Sequence, residues 1–311
     1  MRDRLYLLVF LVGAGVLLYV GRGYIAMSTY ATFGLTFAGT TAAAVLGMVL
    51  YRVQLELRAS RHELARKEAE LDFALEVQQT LFPKHFPADG GLEFSAVCVP
   101  ARGIGGDYYD VLQRSGGRLA FAIADISGKG ISAAILMSNV HAVLRTLYDA
   151  GHPAGEICCQ LNRQLHRVTE GAQFATAFFA EWSVRDRSLT YVNAGHPAPI
   201  LLGSHSGELL QAGGPPLGLF PRTDFEVGRM ILQPGDVIAL YSDGITEAGE
   251  RSEKEFGAAR LEAILKQHSE EPLDDIRQYV LEAVRNWSGE ELEDDMTLLL
   301  IRAKGTRSVG V

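Results

Sequence analysis

The stretch RLAFAIADISGKGISAAILM, residues 118–137, changes character twice. Arg118–Ala124 is a short apolar run that reads as a strand ending at Asp125. Ser127-Gly128-Lys129-Gly130 is a turn, because glycine lets the backbone bend tightly and approach other groups closely. From about Ile131 to Tyr148 the pattern becomes helical. A strand, an acid, a glycine turn and a helix therefore follow one another directly.

Working outward, Phe94–Val99 reads as a strand, and a glycine-rich turn at 103–106 leads into Asp107-Tyr108-Tyr109-Asp110. A second helix is expected over Pro153–Val168. Strands follow near Ala175–Val184 and Ser188–Asn193, joined by the polar Arg185-Asp186-Arg187 turn, then near Ile200–Leu202, Phe225–Ile231 and Asp236–Tyr241. Helices return at Ala258–Gln267 and Leu273–Trp287, and Met296–Ile301 is a last strand. Strands come in runs and helices in pairs, which is the signature of an α+β domain.

Asp107, Asp125, Asp243 and Asp294 each lie at the edge of an apolar strand. A lone acid in a turn ordinarily binds nearby backbone, and spacing leaves open whether these four converge. Converging carboxylates repel one another unless a cation neutralises them. An oxygen-only set suits magnesium or manganese rather than zinc. Two such ions lower the pKa of a shared water and steady the oxygens of a displacement at phosphorus.

Five strings occur in order: Gly105-Gly106-Asp107-Tyr108-Tyr109-Asp110, Asp125-Ile126-Ser127-Gly128-Lys129-Gly130, Asn193-Ala194-Gly195-His196-Pro197, Ser242-Asp243-Gly244-Ile245-Thr246-Glu247 and Asp294-Asp295-Met296-Thr297. Together they resemble the SpoIIE/RsbU branch of the PPM (protein phosphatase 2C-like) phosphatases, over roughly residues 76–303. The resemblance implies an αββα sandwich and two divalent cations, Mn2+ or Mg2+. It implies that Asp125 bridges the ions, that Asp243 and Asp294 complete one shell, and that Asp107 and the Ile126 carbonyl serve the other. Asp125 and Asp243 are the expected catalytic residues, in attack of a metal-bridging hydroxide on phosphoserine or phosphothreonine. The implied substrate is a signalling partner, such as a STAS-type antagonist of an anti-sigma factor.

Asp295 is the weaker match to the metal position, and Asp110 and Glu247 either support the ligands or lie outside the site. Ser127 stands where many eukaryotic relatives carry a histidine, so the general acid is not assigned. His196 either shapes a loop or takes part directly; Arg102 either meets phosphate or is an exposed loop residue. Two rival functions stay open: a catalytically silent membrane-anchored scaffold with the same fold, and hydrolysis of small phosphate esters.

The first fifty residues differ from the rest. Leu5–Val20 and Gly23–Tyr51 carry no charge, and a membrane helix needs about 20 apolar residues. Arg2 and Arg4 before the first run, and Arg52, Arg58, Arg61, Arg66 and Lys67 after the second, place both ends in the cytoplasm. A two-helix transmembrane hairpin over 1–53 is expected in the cell membrane, in preference to a cleaved signal peptide. Residues 54–88 read as a linker helix in which Leu57, Leu64 and Leu71 recur every seven residues. That stripe suits either a dimeric coiled coil or packing on the next domain. The phosphatase-like domain then covers 89–304, with a tail at 305–311. Hydrophobic residues at 48% argue against disorder, and a net charge of -8 argues against nucleic acid as a partner. Cys98, Cys158 and Cys159 form no disulfide or zinc pattern.

Overall fold

The computed structural model describes residues 12–17, 19–22, 29–101, 103–114, 117–204, 206–249, 255–289 and 292–305. The chain divides into two compact units, Met1–Glu70 and Leu71–Val311. In the first, an apolar helix covers Val12–Arg22, and helix α1, Thr29–Gln79, begins. Among the described residues α1 alone is long and apolar enough to cross a membrane. Most of the first expected span and of the turn after it, residues 1–11 and 23–28, lies outside the described residues, so two spans are not established. Apolar run and charged linker form one continuous helix, because no glycine or proline interrupts residues 52–82. Leu57, Leu64 and Leu71 are exposed along it.

The second unit is the expected sandwich. Among the described residues, ten strands form two sheets: β1 (Leu92–Val99), β2 (Tyr108–Arg114), β3 (Arg118–Ile126), β4 (Ala175–Ser183), β5 (Ser188–Ala194), β6 (Ile200–Leu202), β7 (Gly213–Gly214), β8 (Gly228–Ile231), β9 (Val237–Tyr241) and β10 (Met296–Ala303). One sheet has the order β1-β10-β9-β6 and is antiparallel throughout. The other runs β2-β3-β4-β5, and the far edge of β5 is shared between β7, in parallel, and β8, antiparallel. Helices α2 (Ile131–Asp149) and α3 (Ala154–Thr169) cover this larger sheet. A single turn, α4 (Asp243–Thr246), precedes α5 (Ala258–Gln267) and α6 (Leu273–Ser288) on the smaller one.

The alternation in residues 118–126 explains the layering. Side chains on a strand point to opposite faces in turn. Ala120, Ala122 and Ala124 therefore face one way, where their small size admits Leu136, Met137 and Leu144 of α2 and Ile157 and Leu161 of α3. Leu119, Phe121 and Ile123 face the other way and meet Ile238, Leu240, Leu299 and Ile301 of the facing sheet. A third core joins Ala239, Leu298 and Leu300 to Leu261, Leu265, Ile276 and Val280 of α5 and α6. Burial on both faces also makes β9 apolar at every position, without the alternation of a half-exposed strand.

Besides the two-residue β7, three elements depart from the sequence reading. Tyr108–Arg114 is a full strand rather than the end of a turn. The expected strand from Phe225 shrinks to Gly228–Ile231, because Phe225 is buried under the helices and the Glu226 amide turns to the Gly213 carbonyl. Asp243 opens a helical turn that no local pattern announced.

Candidate active site

The β2–β3 ladder pairs Tyr108 with Ala124, so one step further along it Asp107 stands opposite Asp125. Gly106 makes that approach possible: a Cβ there would stand 2.9 Å from the Ile126 carbonyl oxygen. Asp107, Asp125 and the Ile126 carbonyl thus gather at one end of the larger sheet.

The smaller sheet brings its acids to the same end. Beyond β9, the Ser242 amide bonds to the Thr297 carbonyl at 3.0 Å, and the Thr297 amide bonds to Ser242 Oγ at 2.9 Å. Asp243 follows at the first position of α4. Gly244 rests on the backbone of Asp294 and Asp295, where a Cβ would overlap the Asp295 carbonyl. The two sheets meet through Thr297, whose hydroxyl donates to Asp107 Oδ2 at 2.6 Å.

The electrostatics of these acids follow from that placement. Burial pushes Asp125 up to about 7, and Asp243, Asp294 and Asp295 push in the same direction against Lys129. Burial also raises Asp107, with Asp125 adding to it and the Thr297 hydroxyl opposing. Asp243 is raised by burial and then by Asp294. Asp294 itself holds an ion pair with Lys129, Nζ to Oδ2 at 2.7 Å. Asp107, Asp125 and Asp243 are each raised in part by another carboxylate, since a like neighbour disfavours the charged form.

Among the described residues, no three His, Cys, Asp or Glu side chains already form an ion cage. The donor chemistry nonetheless fits hard divalent cations: every candidate ligand is an oxygen, and the shared repulsion is what a cation would relieve.

The neighbouring groups separate into roles. Asp295 accepts the Ala101 amide at 2.8 Å on one oxygen and the Gly106 amide at 2.8 Å on the other, which fixes the loop before Asp107. Asp110 is fully buried, takes the Tyr108 hydroxyl at 2.7 Å, and binds Arg145 of α2 through two bonds of 2.7 and 2.8 Å. The Glu247 amide bonds to the Asp243 carbonyl at 2.7 Å and closes α4.

Ser127 is committed to β4, where its Oγ accepts the Phe174 amide at 2.9 Å. His196 is buried, pairs its Nδ1 with the Thr176 hydroxyl at 2.9 Å, and is pushed down to about 3 by burial, so it is neutral. Its backbone is folded by Asn193, which takes the His196 amide and donates to its carbonyl. Arg102 lies outside the described residues.

Sequence reasoning missed Gln78. Near the end of α1 it is buried, donates to the Gly105 carbonyl at 2.7 Å, and accepts the Gly105 amide at 3.2 Å. With Leu75, Gln79, Phe82, Cys98, Pro100 and Asp107 it lines a cavity of about 280 Å³. A glutamine at a helix end carries no pattern of its own.

Comparison with known proteins adds four likenesses. The profile of the stage II sporulation protein E (SpoIIE) family matches residues 115–304. The phosphoserine phosphatase RsbU of Bacillus subtilis (strain 168) is 29% identical over 257 residues, which cover 82% of this chain and 75% of that protein. The RsbU and RsbW domains of Rv1364c from Mycobacterium tuberculosis share 27% identity and a TM-score of 0.61, over 70% of this chain and 62% of that one. The SiaA-PP2C domain of Pseudomonas aeruginosa, at 21% identity, shares the fold with a TM-score of 0.68, over 77% and 98%.

Proposed function

This chain belongs to the SpoIIE family and is a PPM-type serine/threonine phosphatase, and from that premise we propose that it removes phosphate from phosphoserine or phosphothreonine on a partner-switching signalling protein. The observation that carries the site is the arrival of Asp107 and Asp125 from one sheet and of Asp243 and Asp294 from the other, at a seam closed by the Thr297–Asp107 bond. Asp125, which is raised in part by Asp243 and Asp294 and in turn raises Asp107, would be the ligand shared within the set. Asp243 and Asp294 would hold an ion with it on one side, and Asp107 with the Ile126 carbonyl on the other. Divalent ions held there, Mn2+ or Mg2+, would neutralise the carboxylates and supply Lewis-acid chemistry for water and the phosphoryl group.

The protein's own contribution is positioning. Thr297 aims Asp107 and opposes the rise that burial imposes on it, and the Gly244 amide steadies Asp243. Neither Ser127 nor His196 hands a proton to the departing serine oxygen, since both are engaged elsewhere and His196 is neutral and buried. That proton comes from water.

The substrate proposed is a phosphorylated STAS-type protein. The likeness to the phosphoserine phosphatase RsbU over most of this chain supports phosphoserine as the group acted on, and the STAS-type carrier is the substrate that the family resemblance implies. A cell-membrane location with two spans and a cytoplasmic catalytic unit is proposed from the apolar helix α1 and the basic residues flanking it. The linker portion of α1 is proposed to dimerise through Leu57, Leu64 and Leu71, and the Gln78–Gly105 bonds are its connection to the Asp107 loop.

The deciding experiment is phosphate release from a phosphoserine protein with and without Mn2+. Release that needs the ion and vanishes in Asp125→Asn or Asp243→Asn supports the reading. No release with folded protein, or equal turnover of free phosphoserine, overturns it in favour of a silent scaffold or a small-ester hydrolase.

A further inference from the structure

Lys129 stands alone on a turn with glycine on each side, Gly128 at φ 99° and Gly130 at φ 75°. Such a turn lets the chain place a long side chain over a neighbouring element without burying it. Lys129 Nζ reaches Asp294 Oδ2 at 2.7 Å and the Glu293 carbonyl at 3.2 Å, crossing between the two sheets. Its charge also works against the repulsion at Asp125 and at Asp243. One tethered ammonium therefore serves three of the carboxylates assigned to divalent ions.

Two consequences follow from charge alone. A divalent ion drawing on Asp294 competes with Lys129 for the same oxygen. Once that oxygen is engaged, the ammonium is left half-exposed beside a centre built to receive a phosphoryl dianion. The pair is also exposed enough, at 54% and 44% for the two side chains, for the lysine to change partners at little cost.

We propose that Lys129 is a phosphate-binding residue of this enzyme, parked on Asp294 and transferred to the substrate's phosphoryl oxygens when the divalent ions are in place. The proposal rests on the phosphatase reading above and adds a residue to it. No bond is made or broken in the exchange; an ammonium–carboxylate pair is replaced by an ammonium–phosphate pair.

The test is calorimetric titration of the full-length protein, first with Mn2+ and then, at saturating Mn2+, with inorganic phosphate, for wild type, Lys129→Gln and Lys129→Arg. Lys129→Gln is expected to bind Mn2+ up to about fivefold more tightly, since an exposed competing ion pair is lost. The same variant is expected to bind phosphate about tenfold more weakly, as a charge-assisted contact is removed. Lys129→Arg is expected to keep phosphate binding close to wild type. Unchanged or weaker Mn2+ binding in Lys129→Gln overturns the parked position, and unchanged phosphate binding overturns the transfer; either result sinks the proposal. Absence of Mn2+ binding by the wild-type protein is a different result, which removes the phosphatase reading and this role with it.

Discussion

Thr297 on β10 and Asp107 at the head of β2 are 190 residues apart, yet the threonine hydroxyl donates to the aspartate at 2.6 Å with both residues buried. It is a bond between sheets. Deleting the hydroxyl in Thr297→Val keeps the side-chain shape and leaves a buried carboxylate short of a donor. Groups that orient metal ligands are commonly worth 10- to 100-fold in affinity. Mn2+ affinity, measured by titration, is expected to fall about tenfold in Thr297→Val, while thermal melting in chelator changes far less than activity does.

The carboxylate repulsion predicts a pH dependence of the metal-free protein. Asp125 moves from 3.8 to about 7 on folding, so the folded chain holds a proton that the unfolded chain releases. Stability from that proton is fully present below about pH 4 and is lost as pH rises through 7. Asp107 and Asp243 are raised too and add to the same slope. Denaturant midpoints in chelator should therefore decline from pH 4 to pH 7. Asp125→Asn is expected to flatten that decline while abolishing phosphate release; a midpoint that climbs with pH instead contradicts the assignment.

Asp294 and Asp295 are predicted to fail differently. Asp294→Asn removes a proposed ligand and should reduce turnover by orders of magnitude. In Asp295→Asn one oxygen must become an amide nitrogen facing the Ala101 or Gly106 amide, donor against donor. The loop before Asp107 should loosen, lowering both melting temperature and Mn2+ affinity. Equal metal affinity in wild type and Asp295→Asn would refute the loop-holding role.

Gln78 links the linker to the site through both its amide oxygen and its amide nitrogen. Gln78→Leu keeps the volume and loses both bonds to Gly105. Its Mn2+ requirement is expected to shift by about tenfold, the range of a lost supporting contact. A fragment beginning near residue 89 lacks this residue altogether and should be less active than a linker-dimerised protein; equal activities would count against coupling through the linker.

Much of this architecture was legible in residue order. The helices at 131, 154, 258 and 273 and most strands sit within a residue or two of expectation, because each helix buries one apolar face and the central strands are buried on both. The acids were legible as strand-edge residues, but their convergence was not, since Asp107 and Thr297 are brought together only by sheet packing. β2 was hidden because Asp110 interrupts its apolar run; that acid is buried only by virtue of Tyr108 and Arg145, the second supplied by a distant helix. Gln78 was hidden for the same reason: its partners are backbone atoms of a loop, which leave no trace in composition.

The division of ligands between the sheets has a consequence for the protein's lifetime in the cell. Asp107 and Asp125 belong to one sheet, and Asp243 and Asp294 to the end of the other. Ions held by these proposed ligands would act as a keystone, adding their binding free energy to cohesion of the assembled sandwich alone. Starved of divalent metal, the enzyme should become a better substrate for proteases as well as a poorer catalyst. Metal supply would then govern how much of the protein survives, in addition to how fast each copy works.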